Sequence, residues 1–298
     1  MNVGIVVVTY NRLALLQSVI DSLRKQTFGA NKIIVVNNGS TDGTFEWLQQ
    51  NSDIITLNQE NLGGAGGFYA GLKYVAEHNF DYCWLMDDDV ICNPDALEEL
   101  LLAIGRKSNI GFVCSKVVGI DGCPMNTPDV DDRPTANGYS LYTDLIEYGM
   151  VKVKCATFVS VLVPVSRMYE LGLPYKEYFI WGDDSEYTTR ISRKYDCYQA
   201  CRSVVVHKRA VQAGLSFDSE NDPKRLKNYF FLFRNRAYND FLYTFKSSKA
   251  KIRFWIGRIM KIVLYFAKLQ PRKAWIMARA TFCLINFRPK VEFPQKAS

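Results

Sequence analysis

The sequence predicts an α/β fold with a mostly parallel sheet, followed by a basic helical extension. Three observations predict it. Strand and helix signals alternate from Val3 to Ala103, the pattern of βαβ units. The most polar and glycine-rich loops follow strands, where ligands of open α/β sheets bind. The charge is also split: residues 223–298 carry 18 Lys/Arg and 2 Asp/Glu, a net of +16, whereas the preceding 222 residues net −9. The predicted domains are therefore 1–222, an α/β body, and 223–298, a basic, aromatic helical extension.

Val3–Val8 is a β-branched run, and Leu13, Leu16, Val19, Ile20 and Leu23 follow at helical spacing. Lys32–Asn37 reads as a second strand, Asn38–Gly43 as a turn, Thr44–Gln50 as a short helix and Ile54–Asn58 as a third strand. Gly63–Gly67 reads as a flexible loop leading into a helix near Phe68–Glu77. Tyr82–Met86 is a fourth strand, and Pro94–Ala103 a helix with Asn93 as its N-cap. Gly119–Tyr148, rich in Gly, Pro, Asp and Asn, reads as a long loop of the kind that is usually functional or mobile. Lys154–Val163 and Cys197–His207 read as further strands, and Ser185–Tyr195 between them as a helix. From Pro223 the chain is helical, with breaks at Ser247-Ser248 and Pro271.

With 48% hydrophobic residues among 298, the chain can bury a large core. Val3 opens a strand so near Met1 that no secretory leader is expected, and no uncharged apolar run is long enough to span a bilayer. The eight cysteines are scattered without a CxxC pair, so free thiols in a reducing cytoplasm are expected rather than disulfides or zinc.

Three constellations carry chemistry. Asp87-Asp88-Asp89 directly follows the strand Tyr82–Met86. Three carboxylates at a buried strand end repel one another, so a cation belongs there. Asp87 and Asp89 can share a face on extended backbone while Asp88 points elsewhere. Carboxylate and phosphate oxygens together suit Mg²⁺ or Mn²⁺. The second constellation is Trp181-Gly182-Asp183-Asp184-Ser185-Glu186-Tyr187, where two roles are open for Asp184: helix N-cap, or a base that takes a proton from an attacking hydroxyl. The third, Asn61–Phe68, is either a plain flexible turn or a close approach of backbone N–H groups to an anion. His207, at a strand end, is either an ordinary surface or core histidine or a metal ligand, while His78 is expected to end a helix in solvent.

Taken together these segments resemble family 2 glycosyltransferases. The matching marks are Val7–Arg12, Val36–Asp42, Asn61–Phe68, Met86–Asp89, Trp181–Glu186, His207 and Tyr229–Asn235, in order over roughly residues 1–240. The glycine-rich loop, the triple Asp and the Trp-x-Asp-Asp-x-Glu stretch are most similar to galactofuranosyltransferases, with rhamnosyltransferases the runner-up. The resemblance implies a GT-A catalytic domain over 1–222, Rossmann-like and nucleotide-binding, that uses a divalent metal (Mn²⁺ or Mg²⁺) and inverts configuration. It implies that Thr9, Tyr10, Asn11, Arg12, Asn38, Asn61, Gly64, Asp87 and Asp88 bind the nucleotide-sugar donor. Asp87, Asp89 and His207 would hold the metal, and Asp184 would be the general base. Trp181, Asp183 and Glu186 would meet the acceptor. The chain departs from many relatives at Asn37 or Asn38, where they carry Asp, which leaves the identity of the base open.

The tail segment Arg253–Lys268 interleaves apolar and basic side chains. An anionic membrane surface fits it, and so does packing on the catalytic body or against a second subunit in a homo-oligomer. A lipid-linked or glycan acceptor of cell-surface polysaccharide assembly fits the first, with the protein peripheral at the cytoplasmic face of the membrane. No RRM, KH or helix-turn-helix pattern is present, so nucleic acid is not an expected partner. Two other classes fit less well. A nucleotidyltransferase would need a glycine-rich signature with a basic residue near the first strand, which Thr9–Arg12 lacks. A non-catalytic sugar-nucleotide binding protein would be favoured by loss of the acidic residues, which are present.

Overall fold

The computed structural model describes residues 1–29, 31–209 and 216–296. The chain divides into two compact units. One comprises Met1–Lys176, Asp184–Gln212 and Val291–Ser298; the other comprises Glu177–Asp183 and Ala213–Lys290. This division differs from a cut at residue 222 in three places: the Glu177–Asp183 segment joins the helical unit, that unit begins again at residue 213 rather than 223, and the residues from Val291 join the sheet unit.

The sheet unit is built on β1 (Val3–Thr9), β2 (Asn31–Asn37), β3 (Ile54–Asn58), β4 (Tyr82–Asp87), β5 (Val90–Cys92), β6 (Ile110–Val118), β7 (Asp129–Val130), β8 (Met150–Cys155), β9 (Val161–Pro164) and β10 (Asp196–His207). Their order is β3-β2-β1-β4-β9-β6-β10-β8-β7, with β5 pairing β10. Pairs β1–β2, β1–β4, β2–β3 and β6–β10 are parallel, and most paired residues lie in them. The remaining pairs are antiparallel. The predicted α/β sheet is thus present, with antiparallel additions from its second half.

Helices cover both faces. Val3, Ile5 and Val7 of β1 join one core with α1 (Leu13–Leu23) and α4 (Ala96–Ile104). Val6 and Val8 join the other with α3 (Gly63–Glu77), α5 (Val165–Leu171) and α6 (Asp183–Ser192). Successive side chains of a strand point to opposite faces, and both faces of β1 meet helices. That is why β1 is apolar at every position from Ile5 to Val8 instead of alternating. A short α2 (Thr44–Gln49) lies between β2 and β3.

Four expectations are corrected. Gly63–Gly67 is not a loop but the first turns of α3. An added Cβ at Gly67 or Gly71 would sit 2.3 Å from a Val8 or Val6 γ-carbon, so α3 packs on β1 at a distance only glycine permits. The N-cap of α4 is Asp95, not Asn93; the chain first turns through Pro94-Asp95, with Asn93 O accepting from Ala96 N. Lys154–Val163 is not one strand but the end of β8 and most of β9, which pair with different neighbours. Gly119–Tyr148 carries β7 and a 3₁₀ turn at Ile146–Tyr148 within the expected loop.

In the helical unit, α7 (Pro223–Asn239) starts with Asp222 accepting from Lys224 N at 2.9 Å and proline in its first turn. A π-helical turn, Asp240–Thr244, follows. Helix α8 (Ser248–Ala267) is capped by Ser247, and α9 (Pro271–Asn286) begins at Pro271, both at the breaks the sequence predicts. A small core of Phe217, Tyr229, Tyr265, Ala274 and Met277 joins these helices. All eight cysteines are unpaired. No described helix is long and apolar enough to cross a membrane.

Candidate active site

The site forms where β1 and β4 end side by side, Val8 opposite Asp87 in the parallel register. Asp87 closes β4, and Asp88-Asp89 make the turn into β5. Strand β5 runs antiparallel to the end of β10, with Val90 opposite His207. That register carries His207 to Asp89, and Lys208 N donates to Asp89 O at 2.7 Å. One ligand atom from each of Asp87, Asp89 and His207 lies within 4.8 Å of the others.

Two details bear on whether these residues fit a divalent cation. Asn126, at φ 48°, places its Oδ1 2.9 Å from His207 Nδ1. A carbonyl oxygen can only accept, so Nδ1 carries the hydrogen and Nε2 of the neutral ring presents a lone pair. Nε2 lies 3.1 Å from Asp89 Oδ1, a buried oxygen without a hydrogen-bond donor when the ring is neutral. Two lone pairs facing each other in a buried place call for a proton or a cation between them. Two carboxylates with one imidazole are a hard, mixed O/N set that suits Mn²⁺ or Mg²⁺.

The electrostatics agree. Burial, and then the charges of Asp89, Asp88 and Asp184, push the Asp87 carboxyl well above the usual carboxylate range. Burial opposes ionisation of Asp89 too, but a proton on His207 Nε2, with the bond and charge it brings, and the charge of Arg12 outweigh it and hold Asp89 below its ordinary value, the place a metal cation would take over from that proton. Asp88 turns away from this group: its Oδ2 accepts from Thr9 Oγ1 at 2.7 Å, and its Oδ1 from Arg12 Nη1 at 3.1 Å. Burial raises its carboxyl in spite of Arg12 and Thr9.

Arg12 makes a contact that the resemblance does not supply. The resemblance places it against a nucleotide; the structure places its Nη1 on both Asp88 (3.1 Å) and Asp89 (3.0 Å), with half its side chain exposed. Part of the cation demanded by the triple Asp is therefore within the chain. Tyr10 is exposed, and Asn11, at φ 53°, ties the β1–α1 loop to the next loop by bonding Ser40 and Thr41. Asp42 accepts from Leu13 N at 3.0 Å, which anchors the start of α1.

The Asn38 amide is engaged within the chain. It is buried, its Nδ2 donates to Gly63 O at 3.0 Å and its Oδ1 accepts from Gln59 at 2.6 Å. Asn37 is likewise engaged, with Asn58 and Ser40 N. These amides lock the β2 end to the start of α3. At that start, Asn61 Oδ1 accepts from Gly63 N, and Gly64 borders open space, leaving backbone N–H groups of the first turn for an anion.

Asp184 lies inside the first turn of α6 rather than at its N-cap, since the helix begins at Asp183. Its Oδ1 accepts from Ser185 N at 2.6 Å. Its charge is felt at Asp87, and it adds to burial in raising the Cys155 thiol. The Glu186 carboxylate is committed to an ion pair within the chain. It is fully buried and forms a two-pronged pair with Arg190 at 3.0 and 2.5 Å, one helical turn on. Arg190 also donates to Leu171 O and Leu173 O, so the pair ties α6 to the end of α5.

Trp181 and Asp183 belong to the helical unit. Phe179, Trp181 and Gly182 all have positive φ, and Asn235, fully buried, donates to the carbonyls of Tyr178, Ile180 and Trp181. The Trp181 ring meets Tyr229 edge-on at 5.5 Å. The Tyr229–Asn235 segment thus braces the turn that ends at Asp183. The sequence does not single out Asn126 or the bracing part of Asn235; only the length of the Gly119–Tyr148 loop points toward the former.

A carboxylate-rich strand end on an α/β sheet is an arrangement that suits an enzyme acting on a phosphate-bearing substrate with a divalent cation. Likeness to known proteins agrees. Residues 4–161 match the glycosyl transferase family 2 profile, more than half of the chain, and the protein belongs to that family. It is 28% identical over 257 residues to the galactofuranosyltransferase GlfT1 of Mycobacterium tuberculosis H37Rv, covering 78% of this chain and 80% of that protein. By structure it is similar to Staphylococcus aureus TarS 1–349 in complex with UDP, with a TM-score of 0.58 at 11% identity over 100% of this chain and 98% of that one. It is also similar to the Pyrobaculum calidifontis mannosyltransferase PcManGT with GDP-Man and Mn²⁺, with a TM-score of 0.51 at 14% identity over 95% and 87%. At such identities the two structures speak to the fold alone.

Proposed function

We propose that the protein transfers galactofuranose from UDP-galactofuranose to a glycan or lipid-linked glycan acceptor, with inversion, at the cytoplasmic face of the cell membrane. The observation that carries the reading is the meeting of Asp87, Asp89 and His207 within 4.8 Å, with the charge of Asp184 felt at Asp87. The similarity to a galactofuranosyltransferase over most of both chains supports the donor sugar.

Asp87, Asp89 and His207 would hold a divalent cation, Mn²⁺ fitting the imidazole better than Mg²⁺, and it would supply charge neutralisation for the departing diphosphate. Arg12 and the first-turn N–H groups of α3 add fixed positive potential for the phosphates. Asp184 takes the proton of the acceptor hydroxyl as that oxygen attacks the anomeric carbon. Attack from the face opposite the nucleotide inverts the configuration. The family resemblance makes Trp181 the aromatic platform for an acceptor sugar.

The test is a transfer screen with UDP-galactofuranose, dTDP-rhamnose, UDP-galactose and UDP-glucose, with Mn²⁺ and with EDTA. Transfer from UDP-galactofuranose that EDTA abolishes is expected. Transfer from dTDP-rhamnose alone would move the protein to the rhamnosyl class, and nucleotide binding without transfer from any donor would make it a binding protein.

A further inference from the structure

Helix α8 is apolar on two opposite faces. One packs inside the helical unit: Tyr265 is buried, Phe254 meets Phe241 at 5.2 Å and Arg258 Nη2 donates to Phe233 O. The other carries Ile252, Ile256, Ile259, Met260 and Val263, each between 54% and 66% exposed. Steps of four, three, one and three residues put these five on one stripe along the helix. Leu269, between α8 and α9, is 88% exposed. A contiguous apolar stripe on a helix surface marks a contact site rather than ordinary surface.

Charge selects the partner. Across α8, α9 and the turn between them the sequence has nine Lys/Arg and no Asp/Glu. Lys249, Lys261 and Lys268 on α8 and its end are exposed. A second copy of this surface would bring like charges together, whereas an anionic bilayer is complementary in both respects: headgroups for the lysines, acyl chains for the stripe. We infer that α8 is an interfacial membrane anchor, lying with the Ile252–Val263 stripe in the headgroup region of an anionic leaflet. This rests on the placement at the membrane proposed above, and it gives that placement a defined surface.

The experiment is co-sedimentation of the full chain, without donor or metal, with phosphatidylcholine vesicles with and without phosphatidylglycerol. The variants are Ile256→Asp/Ile259→Asp and Lys249→Glu/Lys261→Glu/Lys268→Glu; circular dichroism checks that they fold, as all five side chains are exposed. The wild type is expected to bind only the anionic vesicles and to be released by salt. The charge-reversed variant should bind about a hundredfold more weakly or worse. The aspartate pair should lose binding while keeping transfer to a water-soluble acceptor. Failure of the wild type to bind, wild-type binding by either folded variant, or a dimer in light scattering that the aspartate pair dissociates would each overturn the inference. Transfer activity is read separately, so loss of the proposed sugar chemistry would leave the vesicle result standing.

Discussion

Replacing Glu186 by alanine separates a structural carboxylate from one that touches the acceptor. The Glu186 carboxylate is fully buried and holds Arg190 with bonds of 3.0 and 2.5 Å. Its removal leaves a guanidinium whose side chain is 12% exposed without its counter-charge. Breaking a buried pair from one side costs about 3–5 kcal/mol. Arg190 keeps its bonds to Leu171 O and Leu173 O at 2.9 and 3.1 Å, which argues for the lower end, about 3 kcal/mol. In a domain of this size that is a fall in Tm of roughly 6–12 °C. Thermal unfolding measures it directly. Initial rates taken well below the transition should show the acceptor KM within about twofold of wild type. An unchanged Tm with a raised acceptor KM would refute this reasoning and return Glu186 to the acceptor site.

Asp184→Asn should lower kcat by about a hundredfold or more while UDP binding, followed by calorimetry, stays unchanged; near-normal turnover would remove Asp184 as the base. Asn126→Ala frees the His207 tautomer and should weaken Mn²⁺ binding about 10–100-fold, and unaltered affinity would show that the Nδ1 bond does no orienting. Asp87 makes the site pH-sensitive. Its carboxyl is raised in the folded chain, which therefore holds this proton more tightly than the unfolded chain does. Without metal, the stability this contributes is present below the ordinary carboxylate range and is lost as pH rises through the raised value. A cation competes with that proton, so the rise in Tm on adding Mn²⁺ should grow with pH over the same window. A metal-induced shift that does not change with pH would contradict the assigned cause.

The strand–helix alternation from Val3 to Asp87 is legible in the sequence because β1, β2 and β4 are mostly apolar runs bounded by turn residues, whereas the three-residue β5, which follows β4 with no helix between, is too short to read. The second half is less so. Lys154–Val163 reads as one β-rich stretch, yet the chain turns at Phe158–Ser160 and sends β8 and β9 to different partners, which local pattern does not record. Gly63–Gly67 reads as a loop for a different reason. Glycine disfavours helix, but here the distance between α3 and β1 overrides propensity, and that distance exists only in three dimensions. In the site, Asp87, Asp89 and His207 can be nominated because each lies at a strand end, and strand ends of such sheets converge. Glu186 and Asn38 cannot be placed, because a carboxylate or amide in a motif looks the same whether it faces a ligand or the core. Resemblance assigns Arg12 to the nucleotide, whereas its contact with Asp88 and Asp89 comes from the adjacent ends of β1 and β4.

The claim on which the account turns is that Asp87, Asp89 and His207 bind one divalent cation together. Calorimetric titration of Mn²⁺, in the presence of UDP, into the wild type, Asp89→Asn and His207→Ala tests it. A single site is expected in the wild type, with binding at least about tenfold weaker in each variant. Equal Mn²⁺ affinity in all three proteins, or none in the wild type, would contradict it.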